Sequence, residues 1–306
     1  MKKTALALAA TVAIGFSSAA FATPMTIDNG LDFGANGSTS TSAFSEVGYT
    51  GTLATSIYLG NPAVVGTQVV DTNMASVMNS FGFAPGNHTT LGGNSLPFFY
   101  PSNPGNLNID ALNNVPSVAD ANGFSSGQPF PYGTLGTWGL TYEYTILGTT
   151  TATGVDFTSG YYNVYYQSGA GNPHNGEQVL RLNLTSSQIQ GVNLQIDGLV
   201  SFDFDGNGTD DSTAFSQSFL TTADGRNLYA AWLASPNSIS WTLDTNVNPP
   251  LPTANQLWQA PGGALFRQTT LDGSITLNVP EPGSLALLGL ALAGMGFAQR
   301  RRNKSA

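Results

Sequence analysis

Thr141-Tyr142-Glu143-Tyr144-Thr145-Ile146 alternates polar and apolar side chains at every step, and Leu180-Arg181-Leu182-Asn183-Leu184 keeps the same rhythm. A period of two places one set of side chains on a buried face and the other on the opposite face of a strand. The pattern recurs in Val192, Leu194 and Ile196, in Ile239, Trp241 and Leu243, and in Ile275, Leu277 and Val279. Gly, Asn, Asp or Pro bounds each run, as expected for strands separated by turns. The run Tyr161-Tyr162-Asn163-Val164-Tyr165-Tyr166 is apolar on both faces and reads as a central strand. Strands of this kind at these intervals predict an all-β protein, an antiparallel β-sandwich-like domain with long irregular loops.

Helical spacing is rare. Met74, Val77, Met78 and Phe81 stand at i, i+3, i+4 and i+7, which predicts one short helix after Asp71. Leu228, Ala231 and Trp232 suggest a second, ending before Pro236. Both stripes read as core. Residues 85–133 differ from the rest, with prolines at 85, 97, 101, 104, 116, 129 and 131 among many Asn and Gly. This region reads as long surface loops, or as a linker between a small N-terminal part and the main β domain.

The two ends carry separate signals. Lys2 and Lys3 precede an apolar stretch from Ala5 to Phe16, followed by the small-x-small site Ala20-Phe21-Ala22. That order is the pattern of a secretory signal peptide over 1–22, cut after Ala22. At the other end, Pro280-Glu281-Pro282 precedes an uncharged span, 283–298, and then Arg300, Arg301 and Arg302. The span is apolar all round, which predicts a membrane-seeking helix instead of a core helix with a polar stripe. As a helix its sixteen residues reach roughly 24 Å, somewhat short of the ~30 Å hydrocarbon core. The arginines favour the cytoplasmic side, so everything before the span faces outward.

Taken together, Val279-Pro280-Glu281-Pro282-Gly283, the apolar span and the arginine cluster resemble a PEP-CTERM sorting signal over 280–306. The resemblance implies a substrate of exosortase, a membrane protease-transpeptidase of Gram-negative bacteria that also make exopolysaccharide. It implies delivery by the Sec export machinery, transient insertion in the inner membrane, cleavage near Pro280–Pro282 and release to the cell surface or matrix. It implies no fold and no activity, because unrelated domains carry such tails.

Between the signals, residues 23–279 hold seventeen acidic residues against three basic ones, Arg181, Arg226 and Arg267, a formal charge of −14. Such a surface repels nucleic acid, anionic lipid and acidic polysaccharide unless divalent cations bridge them, which excludes nucleic-acid binding. Cysteine is absent, so this exported chain relies on core burial, with bound metal as a further source of stability.

One internal motif points to chemistry, Asp203-Phe204-Asp205-Gly206-Asn207-Gly208-Thr209-Asp210-Asp211. Asp203, Asp205, Asn207 and Asp211 occupy loop positions 1, 3, 5 and 9, and Thr209 offers its carbonyl at position 7. Clustered carboxylates repel one another unless a cation sits among them. The spacing resembles the calcium loops of FG-GAP-type repeats and, more loosely, EF-hand and dockerin loops. It departs at position 12, where Ala214 replaces the acidic ligand, so the expectation is a structural Ca²⁺ site in a hairpin loop. The competing reading is an Asx-rich turn between two strands without metal.

Other candidates are weaker. His88 and His174 lie in loops, where a two-histidine site competes with simple solvation. Glu143 is the least ordinary carboxylate for a glycosidase pair, which needs two acids ~5–10 Å apart, although an outward, solvated position opposite Tyr142 and Tyr144 explains it more simply. Phe98-Phe99-Tyr100, Tyr161 to Tyr166, Trp232 and Trp258 offer a sugar-stacking platform or ordinary core, with core preferred. No Ser-His-Asp arrangement, GxSxG, HExxH or Walker loop occurs. The sequence therefore favours a non-enzymatic exported surface or matrix protein that supports exopolysaccharide, biofilm or floc assembly. A calcium-dependent carbohydrate-binding module is the alternative, and a secreted glycoside hydrolase ranks last.

Overall fold

The alternating segments form the long strands of one antiparallel sheet. In the computed structural model the described residues are 22–28, 30, 39–41, 43–84, 86–95, 110–112, 138–168, 173–190, 193–246 and 251–280. The signal segment before Ala22, Phe98-Phe99-Tyr100, most of 85–133 and the span 283–298 lie outside them. Among the described residues no helix is long and apolar enough to cross a membrane.

Among the described residues there are thirteen strands: β1 (Met25–Ile27), β2 (Glu46–Tyr58), β3 (Gln68–Thr72), β4 (Thr89–Thr90), β5 (Asp110–Leu112), β6 (Trp138–Thr150), β7 (Val155–Ser168), β8 (Glu177–Gln190), β9 (Asn193–Ser201), β10 (Leu220–Thr222), β11 (Ser240–Asn246), β12 (Trp258–Gln259) and β13 (Leu265–Asn278). Three short helices accompany them: α1 (Ala75–Ser80), α2 (Ala214–Phe219) and α3 (Leu228–Ala234). Both predicted helical stripes therefore form helices, and their Met78 and Leu228 are buried.

Neighbouring strands pair in the order β11-β9-β8-β7-β6-β3-β2-β13. β11 pairs along its other edge with β13, from Ser240↔Asn278 to Thr245↔Gly273. The sheet thus closes on itself, and the two walls of the expected sandwich belong to one continuous hydrogen-bonded ring. Closure limits the edges that invite pairing with other chains to short strands such as β4 and β5. β7 lies between β6 and β8, the central position its two apolar faces demand.

The interior is filled from both walls. Tyr144 and Tyr162 stack with ring centroids 4.8 Å apart, and Trp241 meets Tyr162 edge-on at 5.7 Å. Such pairs contribute about 0.5–1.5 kcal/mol each beyond area burial. At one end Met25, Ile27, Phe219 and Leu220 close the barrel through the β1–β10 ribbon and α2. A second, smaller core lies on the outer face of β2, β3 and β13. There Ile57, Val70 and Phe266 pack under Met78 of α1, Phe83 and Trp258.

Candidate functional site

The acidic loop leaves the barrel at the end of β9. Phe202 continues the buried face, and the backbone N–H of Asp211 returns to its carbonyl at 3.0 Å, closing the loop at its base. Gly206 and Gly208 have φ of 82° and 92°, left-handed values that a side chain would disfavour. Asp203 organises the turn: Oδ1 accepts from the backbone N–H groups of Gly206 (2.8 Å) and Asn207 (3.1 Å), and Oδ2 from Gly208 (2.8 Å). Asp211 Oδ2 accepts from the N–H groups of Phe204 (2.9 Å) and Asp205 (3.2 Å).

This geometry brings Asp203, Asp205 and Asp211 together, with one oxygen from each within 4.8 Å of the others. Ca²⁺ binds oxygen at about 2.3–2.6 Å, so oxygens across such an ion stand up to about 5 Å apart. Three hard carboxylate donors at this separation fit Ca²⁺. Asn207 is placed differently. Its amide nitrogen donates to Asp205 Oδ2 at 2.7 Å, and its Oδ1 accepts from the Thr209 backbone N–H at 2.9 Å. Asp210 turns away, accepting from Ser212 and, at 2.6 Å, from the Tyr229 hydroxyl of α3. Slight burial pushes the Asp210 carboxyl up, but those hydrogen bonds outweigh it and hold the group below the ordinary aspartate value.

The hairpin expected around this loop is corrected. The chain enters from β9 but leaves into α2, because Thr213 caps that helix and forms a reciprocal capping box with Ser216. The loop also rests on a support that spacing alone does not reveal. Arg181 of β8 lies over the Tyr161 ring at 4.1 Å, and its Nη1 donates to the Phe204 carbonyl at 2.5 Å. Asn183 accepts from its Nε at 2.8 Å. A cation so held fixes where the first carboxylates of the loop project.

Glu143 is corrected too. It is buried, not solvated, and its Oε1 accepts from the Tyr165 hydroxyl at 2.5 Å and the Asn163 amide at 3.1 Å. Burial first, then the Glu143 hydrogen bond, push the Tyr165 phenol up. These partners are a phenol and an amide, the arrangement of a satisfied buried polar group and not of paired glycosidase acids. The histidines have separate neighbourhoods: His88 stacks on Phe83, and His174 stacks on Phe215 while meeting Glu177 at 2.7 Å. Of the aromatic residues, Tyr162, Tyr165, Tyr166 and Trp258 are buried. Trp232 is half-buried and stacks with Tyr229 at 6.1 Å.

The ends of the domain meet. The Thr23 backbone N–H donates to the Leu277 carbonyl at 2.8 Å, and the Val279 N–H donates to Thr23 Oγ1 at 3.0 Å. Pro280 is exposed, and its carbonyl accepts from Arg226 Nη1 at 2.6 Å. Val279, the residue directly before the Pro-Glu-Pro signal, is still buried. Ala22 lies beside the same edge, whereas Ala20, Glu281, Pro282 and Arg300 to Arg302 lie outside the described residues.

Residues 278–302 match the PEP-CTERM protein-sorting motif. No curated protein and no solved structure matches the chain. The motif marks a protein exported across the inner membrane and carried to the cell surface or beyond after exosortase processing.

Proposed function

We propose that this exosortase-sorted protein, cut to about residues 23–279, is a non-enzymatic component of the extracellular matrix that supports exopolysaccharide, biofilm or floc assembly. The observation that carries the reading is the sorting motif joined to a strongly acidic, lysine-free β domain. Such a surface meets an acidic polymer favourably only through divalent cations, which offset the repulsion between like charges. The closed ring of long strands supplies a scaffold, and both ends leave it at one place. Deleting the gene is expected to reduce cell aggregation and the amount of matrix retained on washed cells. Unchanged aggregation, adhesion and matrix composition in the deletion strain would end this reading.

The acidic loop favours a second, calcium-dependent role. Asp203, Asp205 and Asp211 supply three carboxylate donors, with the Thr209 carbonyl and a reoriented Asn207 side chain as further oxygen ligands. The FG-GAP-like character of the loop belongs to this proposal. The bound ion would draw the carboxylates together and stiffen the step from β9 to α2. The half-buried Tyr229 and Trp232 stand beside it, an aromatic pair suited to a carbohydrate ring.

Extracellular calcium modules bind at about 10⁻⁴–10⁻³ M. Roughly 10 mM Ca²⁺ then stabilises the fold by about 1.4–2.7 kcal/mol, a rise of about 3–8 °C in melting temperature for a domain of this size. Calorimetry with Ca²⁺ and with chelator should show that rise in the parent and none in Asp205→Ala, whose carboxylate lies at the exposed side of the cluster. Identical melts of the parent in both conditions would remove the metal from the account.

A further inference from the structure

The half of the barrel interior away from the β1–β10 plug contains a buried cation that the rest of the fold leaves partly unsatisfied. Arg267 of β13 pairs in register with Ser56 of β2 and points inward beside Tyr58 and Asp71. It is only 2% exposed. Its Nε and Nη2 are buried and have no hydrogen-bond partner. These two nitrogens form one edge of the planar guanidinium, the fork that matches two oxygens of a carboxylate or similar anion.

The nearest opposite charge is already engaged elsewhere. Asp71 Oδ1 accepts from the Tyr144 hydroxyl and Oδ2 from Ser56 Oγ, both at 2.5 Å. No Asp71–Arg267 ion pair forms among the described residues, where the ion pairs are His174–Glu177 and Arg226–Asp224. Burial pushes the Asp71 carboxyl above the ordinary aspartate value, with the Ser56 and Tyr144 hydrogen bonds and the Arg267 charge opposing it.

Arg267 borders a cavity of ≈ 40 Å³, where Ser56, Asp71 and Thr269 stand among a mainly apolar wall that includes Ile146, Phe157 and Ile196. A single water needs about 10–15 Å³ of such space, so the cavity holds about three waters or one small anion. Water would satisfy the two donors but would leave the buried charge in place. An anion would do both, and a buried charge persists only when paired. We propose that the open edge of Arg267 binds a small planar oxyanion inside the barrel, of the size of formate, acetate or nitrate, with Thr269 on the wall of the same cavity. The space is too small for a sugar acid, so the site is distinct from any polysaccharide contact of the outer surface.

The test uses the full chain in detergent micelles at constant ionic strength. Sodium formate, acetate or nitrate replaces sodium chloride, and the readouts are the melting temperature and saturation transfer from protein to the formate proton. Occupancy at about ten times the dissociation constant predicts a melting temperature about 2–4 °C above that in chloride, with saturation transfer to formate. Formate and acetate acting alone would identify a carboxylate ligand, and nitrate acting equally would identify any planar oxyanion. Both responses should survive replacement of Arg300, Arg301 and Arg302 by Gln. They should vanish in Arg267→Gln and in Ala54→Val, which narrows the cavity without touching the charge. Absence of saturation transfer in the parent chain, its loss with the tail arginines, or its persistence in either cavity variant would overturn the proposal, the first two without requiring the cavity variants to fold.

Discussion

Replacing Pro280, Glu281 and Pro282 together by alanine is expected to abolish the extracellular form of the protein and leave the full-length chain in the membrane fraction. The apolar span and its arginines would still be inserted, but the polar signal ahead of them would be gone. Sixteen uncharged, mostly apolar residues in a row hold a chain in a bilayer far more firmly than the sparse charges of the domain pull it out. The barrel should be unaffected, since β13 ends at Asn278 and Val279 is the last buried side chain among the described residues. Cell fractionation followed by mass spectrometry of the intact chain checks the outcome. In the parent strain the released form should begin at Thr23 and end no earlier than Val279. Cutting further upstream would strip β13 of its pairing with β11 and β2 and open the barrel. Release of the triple variant in normal amounts and with the same C-terminus would sever the link between this tail and export.

Gly198→Ala is expected to be the most damaging single methyl group in the barrel. Gly198 lies on β9, opposite Trp241 of β11 and Leu184 of β8. A Cβ built there would stand 2.0 Å from the Asn183 carbonyl oxygen and 2.5 Å from Trp241 Nε1. The indole packs against this glycine, and its N–H donates to the Asn183 carbonyl at 3.2 Å. A methyl group would lift the indole, break that hydrogen bond and disturb the contact with Tyr162. Overpacking of this kind costs about 1–3 kcal/mol, and the buried hydrogen bond adds about 1 kcal/mol. The combined loss of about 3 kcal/mol is a large share of the 5–15 kcal/mol that holds a typical protein folded. Urea unfolding should show the midpoint fall with little change in slope. Trp241→Leu in the same chain should make the alanine much less costly, because the two positions share one space. A stability unchanged by Gly198→Ala would mean that the indole does not occupy this place.

Much of this architecture is legible in local pattern. Period-two alternation in 141–146, 180–184 and 239–243 identifies strands because a half-buried strand has only two faces. The doubly apolar run Tyr161–Tyr166 identifies the strand flanked on both sides. The acidic cluster is legible for a similar reason, as Asp203, Asp205 and Asp211 lie within nine residues and a single turn gathers them. Where the reading departs from the structure, distant residues are responsible for Glu143 and Arg181, and a local helix cap for the loop. Glu143 alternates with tyrosines like any outward residue, yet Tyr165 and Asn163 of the adjacent strand enclose its carboxylate. The loop after Asp211 continues into a helix because Thr213 and Ser216 cap one another. Arg181 looks like one polar position in an alternating strand until the fold sets Tyr161 and Phe204 around it.

Local order therefore determined which segments extend, which turn bears the carboxylates and which tail directs the chain outward, since each depends on neighbours a few residues apart. Only tertiary structure decided that β11 would meet β13 and close the sheet, that Thr23 would lie against Leu277 and Val279, and that Arg267 would face Asp71 across an interior cavity. Those pairings join residues far apart in the chain, and long-range strand pairing depends on the packing of the whole interior, which no single segment encodes.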